Sequence, residues 1–253
     1  MDTPVQSFAV ANLRRRPLVV ETGGFVAGFD PDTTSPYINY ATPLPGAEPT
    51  AADVAGLVAA FRDRGLKPRL EFAPDSAPLV ERALLAAGFT VEAVHEYLVC
   101  TPATLTPPRY GDAPVPTVEA PGGDTDYAAI DAALSEAFAG EFTSSPEGAA
   151  RLRRTEDGGG AVRFVRSPDG GCAGGAICSA PAVGTSELAG VGTRPDYRGR
   201  GIAAAVTAEL AATMFGRGAS SVWLEYSGEG SRRVYERVGF RPQGRRLYIA
   251  LED

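Results

Sequence analysis

The stretch Arg198-Gly199-Arg200-Gly201-Ile202-Ala203 decides how this chain reads. It follows a β-type run, Glu187-Leu-Ala-Gly-Val-Gly-Thr193, and opens an Ala-rich helical run over 201–215. A turn with two glycines between a strand and a helix leaves several backbone N–H groups aimed at one spot, and the helix N-terminus adds about half a positive charge there. The glycines let an anion come close to the backbone. The stretch is therefore expected to hold a phosphate-like group. A nucleoside-triphosphate loop would need Gly-Lys-Ser/Thr at this place, and Arg200-Gly201-Ile202 supplies neither the lysine nor the hydroxyl. A dinucleotide-binding sheet would continue in further strand–helix units, whereas the sequence shows a single strand beyond Gly239-Phe240.

Downstream lie a β-type run, Ser221-Val-Trp-Leu-Glu-Tyr226, a short helical segment ending Val234-Tyr235-Glu-Arg-Val-Gly239-Phe240, and a last strand, Arg246-Leu-Tyr-Ile-Ala-Leu251. The order Arg-x-x-Gly-x-Ala, helix, strand, Tyr-x-x-x-Gly-Phe, strand resembles the GNAT superfamily of N-acetyltransferases. The resemblance covers about residues 115–251 and is sharpest over 187–240. It implies an α/β (α+β) fold with a mixed, mostly antiparallel, splayed sheet flanked by helices, and acetyl-CoA as co-substrate. It also implies that the backbone of Arg198, Gly199, Arg200, Gly201, Ile202 and Ala203 holds the pyrophosphate. Val191 and Thr193, ending the preceding strand, would meet the pantetheine and thioester. The Arg200 side chain is either a phosphate contact or simply solvated. Many members carry Asn and Ala before the tyrosine of the second motif, where this sequence has Gly228 and Ser231, so Ser227 or Ser231 is expected to replace the asparagine contact.

Amine attack on a thioester releases a thiolate, which reverses the reaction unless it is protonated. Tyr235 is the expected general acid, since a phenol with a pKa near ~10 can donate a proton at neutral pH. The acceptor ammonium must lose a proton first, and a carboxylate is the simplest base. Glu187 on the strand leading into the loop is the first candidate and Glu225 on the next strand the second; either also reads as a surface-facing strand residue. A covalent acyl-cysteine route would need an activated thiol, and Cys172 and Cys178 have no histidine near them in sequence.

Composition agrees with a soluble enzyme. The 253 residues allow one large or two small cores, and the net charge of −7 gives no electrostatic case for nucleic acid or an acidic membrane as partner. Arg14-Arg15-Arg16 is not followed by an apolar stretch, and no segment approaches the ~20 apolar residues of a membrane span. Three cysteines, Cys100, Cys172 and Cys178, read as reduced core thiols of a cytoplasmic protein. One histidine, His95, leaves no His-based metal site, so no metal is expected.

The Pro- and Thr-rich segment 101–116 reads as a linker between a first domain, 1–100, and a catalytic domain, 117–253. The end of the first half faintly copies the end of the second. Registered on Gly88-Phe89 and Gly239-Phe240, Arg82 falls on Arg233, Tyr97 on Tyr248, and Leu84 on Tyr235. Before its helix, however, the first half reads Pro43-Leu-Pro-Gly-Ala-Glu-Pro49, with prolines that lack N–H and an acid where an anion should sit. The expectation is a tandem of two GNAT-like units, the first degenerate, shaping the acceptor cleft but binding no acetyl-CoA. The function expected is transfer of an acetyl group to a primary amine, on a small molecule or a peptide, by direct attack in a ternary complex. The alternative is a catalytically silent acyl-CoA-binding or regulatory protein.

Overall fold

The computed structural model describes residues 3–112 and 114–252. In chain order the elements are α1 (Thr3–Leu13), β1 (Leu18–Thr22), β2 (Phe25–Phe29), β3 (Tyr40–Pro43), α2 (Ala51–Arg62), β4 (Arg69–Phe72), α3 (Val80–Ala86) and β5 (Thr90–Cys100). There follow β6 (Val118–Glu119), α4 (Asp124–Ala137), α5 (Pro146–Asp157), β7 (Ala161–Arg166), β8 (Cys172–Cys178) and β9 (Thr185–Thr193). A 3₁₀ turn (Pro195–Tyr197), α6 (Ile202–Gly216), β10 (Ser221–Glu225), α7 (Gly228–Val238) and β11 (Arg241–Ala250) complete the chain.

Packing divides it into two compact units: Met1–Tyr97 with Gln243–Asp253, and Leu98–Pro242. The sequence divides at the 101–116 segment, but by packing the last strand goes with the first unit. There β11 pairs antiparallel with β4, from Leu247 opposite Phe72 to Ala250 opposite Arg69. Strand order in the first unit is β1-β2-β3-β4-β11-β5. Phe25, Phe61, Leu70, Phe72 and Phe89 form its core, with Leu247 and Ile249 of β11 among them. On the other face of β4, Arg69 is buried between Glu71 at 2.5 Å and Glu92 at 2.7 Å.

In the second unit the strand order is β10-β9-β8-β7-β6. Its core gathers Val206, Leu210 and Met214, spaced four residues apart on α6, with Val222, Leu224, Val238 and Phe240. Leu98 and Cys100, at the end of β5, are buried in the same cluster. β7–β8 and β8–β9 pair antiparallel, and β9–β10 pair parallel across α6. The first unit repeats this series: β1–β2 and β2–β3 antiparallel, β3–β4 parallel across α2. The mixed α/β tandem anticipated from sequence is thus present, with β4, α3 and β5 in the first half matching β10, α7 and β11 in the second. Nothing in the periodicity announces α1, because Val5, Phe8, Ala9, Val10 and Leu13 are buried over more than one narrow stripe.

Candidate active site

The site is built at the start of α6. The 3₁₀ turn ends at Arg198, Gly199 has φ +75°, and Gly201, the N-cap, has φ +77°. Both angles lie in the left-handed region that side-chain-bearing residues rarely adopt. A glycine cap offers no side chain to the helix, and the N–H of Ala205 donates to Gly201 C=O at 3.0 Å to begin the ladder. The amides ahead of it in the helix have no intrahelical acceptor, so they stay available to an anion. A side-chain carbon added at Gly199 would meet nothing within 4 Å, which leaves room for that anion.

A cleft of about 420 Å³ opens over this turn, lined by Thr193, Arg198, Gly199, Arg200, Gly201, Ile202 and Ala203 together with Arg109, Tyr110, Val234 and Arg237. Thr193 Oγ1 is buried and has no hydrogen-bond partner among the described residues, which fits a polar ligand along this edge. Arg198 is a strut: its guanidinium donates to Thr193 C=O (3.2 Å) and to Ala137 C=O at the end of α4 (3.1 Å). Arg200 donates to Asp196 C=O (2.8 Å) and lies over the Tyr197 ring. Arg194, paired with Glu136 at 2.7 Å, takes up position over the same ring.

Val191 lies in a β-bulge. Gly175 pairs with Gly192 and Ile177 with Ala189, so Gly190 and Val191 oppose one residue of β8, and Gly190 turns the chain with φ +61°. Such a bulge takes a backbone group out of the ladder and twists the strand. The pairing of β9 with β10 has already stopped by then. It runs from Thr185–Ser221 to Glu187–Trp223, while β9 continues to Thr193. Glu187 is half-buried at the last rung, its N–H donating to Ser179 Oγ at 2.9 Å. Glu225 ends β10.

Tyr235 projects from α7 into the second unit's core and is 7% exposed. Burial pushes its phenol up to about 12. Ser227 is the N-cap of α7 without a side-chain capping bond, and Ser231 donates back to Ser227 C=O at 2.7 Å. Neither serine lines the cleft at the α6 turn; α7 lends it Val234 and Arg237 instead. Sequence reasoning missed Arg237, Arg109 and Tyr110. The one signal was a basic–aromatic pair inside a segment read as plain linker. All three cysteines are buried, and burial pushes Cys172 up to about 12 and raises Cys100 and Cys178. Among the described residues no group of three or more His, Cys, Asp or Glu is placed to hold a metal ion, and no helix is long and apolar enough to cross a membrane.

The equivalent place in the first unit is built to the opposite effect. Thr50 caps α2 in a capping box: the Asp53 N–H donates to Thr50 Oγ1, and the Asp53 carboxylate accepts from the Thr50 N–H at 2.8 Å. An acid occupies the helix N-terminus, and the Thr50 and Asp53 amides there already have partners. β3 and β4 part after one rung, Ala41–Leu70, and the gap is filled by Gln6 of α1. Gln6, 1% exposed, donates to Thr42 Oγ1 (2.8 Å) and Pro43 C=O (2.6 Å) and accepts from the Ala73 N–H (2.9 Å). Leu84, the counterpart of Tyr235, is fully buried.

Residues 128–240 match the family model described as the acetyltransferase (GNAT) family. This part of the chain is a GNAT acetyltransferase domain. Among solved structures, a GCN5-related N-acetyltransferase from Kribbella flavida superposes with a TM-score of 0.84 at 23% identity, covering 100% of this chain and 96% of that one. A GCN5-related N-acetyltransferase from Sphaerobacter thermophilus gives 0.59 at 20% identity, over 90% of this chain and 76% of that one. A tandem GNAT protein from the clavulanic acid biosynthesis pathway gives 0.63 at 11% identity, over 100% and 88%. At these identities the likeness establishes the fold. No curated protein sequence matches the chain.

Proposed function

We propose that the protein is an acetyl-CoA-dependent N-acetyltransferase that moves an acetyl group to a primary amine within a ternary complex, its chemistry lying in the 117–253 half. The observation that carries this reading is the contrast between two helix N-termini. That of α6 has no side-chain cap and is ringed by arginines, whereas that of α2 is capped by Thr50 and Asp53. Acetyl-CoA supplies the activated acetyl thioester. The amides of Gly199 to Ala203 bind its pyrophosphate, with Arg200 beside them. The bulge at Gly190–Val191 and the parted edge of β9 orient the pantetheine arm and receive the thioester carbonyl, and Thr193 Oγ1 gives that edge a further polar group.

Glu187, at the point where β9 leaves β10, takes the proton from the acceptor ammonium. Tyr235 delivers a proton to the departing sulfur. A phenol with its pKa near 12 keeps that proton throughout the neutral range. Ser227 and Ser231 stand where the family's asparagine would meet the arm; the Ser231 oxygen, its proton spent on Ser227 C=O, acts as an acceptor. Thiols pushed up by burial disfavour a covalent acyl-cysteine, and such buried, reduced thiols suit a cytoplasmic setting.

The test pairs calorimetric titration of the full chain with acetyl-CoA and a thiol-release screen over a diverse amine library. Binding with amine-dependent release supports the enzyme. Binding without release from any amine favours the silent acyl-CoA-binding reading, and no binding overturns both.

A further inference from the structure

Two glycines clear the backbone of the α6 turn, and only one of the clearings stands open. A side-chain carbon built on Gly199 would meet nothing within 4 Å, whereas one built on Gly201 would lie 2.6 Å from Tyr110 Cε1 and 3.0 Å from Cδ1. The half-buried Tyr110 ring therefore rests on the bare face of Gly201, amid the amides that an anion would approach. Behind the ring, between the linker and α6, lies a second hollow of about 470 Å³, walled on the linker side by Leu105, Pro107, Pro108 and Val118. Its α6 wall is made of Ala205, Ala208 and Ala212, whose spacing puts three short side chains on one helix face and leaves the space between helix and linker unfilled. Tyr110 borders both the cleft at the turn and this hollow. The residue after it, Gly111, has φ +57° and nothing within 4 Å of where a side chain would start, so the backbone beside the ring is unobstructed.

We propose that Tyr110 is a latch on the co-substrate site: with its ring on Gly201 the turn is closed to a pyrophosphate, and with its ring in the α6 hollow the turn is open. This rests on the acetyl-CoA reading above and concerns how that site is entered. Both positions keep the ring against apolar surface, on the glycine face in one and among prolines and alanines in the other. Their hydrophobic contributions are therefore similar, and the ligand's preference for the open form tips the balance. A methyl group fixed at Gly201 would hold the same ground permanently, whereas the ring can leave it. The latch lowers the apparent affinity of the turn by the fraction of molecules that are open and slows association by the same fraction. Once coenzyme A is seated the ring is already out of the way, so dissociation does not depend on it.

The experiment follows coenzyme A association and dissociation on the immobilised full chain by surface plasmon resonance. Tyr110→Ala is expected to associate about 10-fold faster or more, the factor recovered when a site open about a tenth of the time becomes open always. Its dissociation rate should stay within about threefold of the wild type's. Tyr110→Phe keeps the ring and should behave as the wild type does. Ala208→Leu narrows the hollow and should slow association by about threefold or more, but only while the ring is present; in the Tyr110→Ala background it should change nothing. A Tyr110→Ala variant that associates no faster overturns the latch, as does an Ala208→Leu effect of equal size with and without the ring. Binding by Tyr110→Ala alone would support the latch and the acetyl-CoA reading together. If neither the wild type nor Tyr110→Ala binds coenzyme A, the acetyl-CoA reading fails and the latch falls with it.

Discussion

Glu187 and Trp223 face each other across the last paired rung of β9 and β10. Six residues further along, β9 ends at Thr193 beside the glycine turn that opens α6. Glu187 therefore marks where the two strands begin to part, which is where an amine approaching a thioester laid along β9 would meet a base. Glu187→Gln is expected to lower kcat/KM at neutral pH by ~100- to 10,000-fold, the usual span for a general acid–base step. The deficit should shrink as pH rises, because an amine with a pKa near ~10 then deprotonates without help. A glutamine variant whose deficit is the same at every pH would point to a structural role and bring Glu225 forward.

Tyr235→Phe keeps the ring in the core and removes only the hydroxyl. Turnover should fall by ~100- to 10,000-fold, with acetyl-CoA affinity held within about threefold. The folded phenol loses its proton only near pH 12, so this acid stays protonated through pH 10 and adds no descending limb to the wild-type profile below that. Wild-type turnover in the Phe variant would mean that water or another group protonates the sulfur.

Gly201 is constrained twice, by φ +77° and by the Tyr110 ring. Alanine there must accept left-handed backbone strain of roughly 1–2 kcal/mol and displace the ring, so acetyl-CoA binding should weaken. Glutamate adds a negative charge at the anion site and should abolish binding in a titration. Unchanged affinity in the glutamate variant would show the turn to be merely structural.

Gln6 staples β3 to the end of β4, and α2 is capped by Thr50 and Asp53, so a second coenzyme would have to displace both arrangements. One coenzyme A per chain is expected by calorimetry, and two would end the reading of a degenerate first unit. Gln6→Ala leaves the buried Ala73 N–H and Pro43 C=O without their partner, at a cost of about 1–3 kcal/mol for each orphaned group. Urea unfolding should show the loss.

Ending the chain after Pro242 removes the strand that carries Leu247 and Ile249 into the first unit's core. It also takes away Arg246, 3.5 Å from the buried Glu71. The expected result is cooperative loss of structure in the first unit, read by limited proteolysis within residues 1–97. Protection equal to the full chain's would show that β11 is dispensable there.

The sequence by itself determined whatever depends on neighbours along the chain. The glycine turn at 199–201, the helix after it and the three buried cysteines are all set by local backbone preference, period and composition. The proline-poor turn of one half against the proline-rich approach of the other was legible too, although Thr50, Asp53 and Gln6, which complete the contrast, were not. Tertiary structure alone decided which unit receives β11, because pairing Leu247 with Phe72 is a contact between distant residues that no local pattern encodes. It also decided that Arg109, Tyr110 and Arg237 share a cleft with Gly201. A linker looks featureless in sequence because its order comes from the surface it lies on, here the bare backbone of a glycine that leaves space for one aromatic ring.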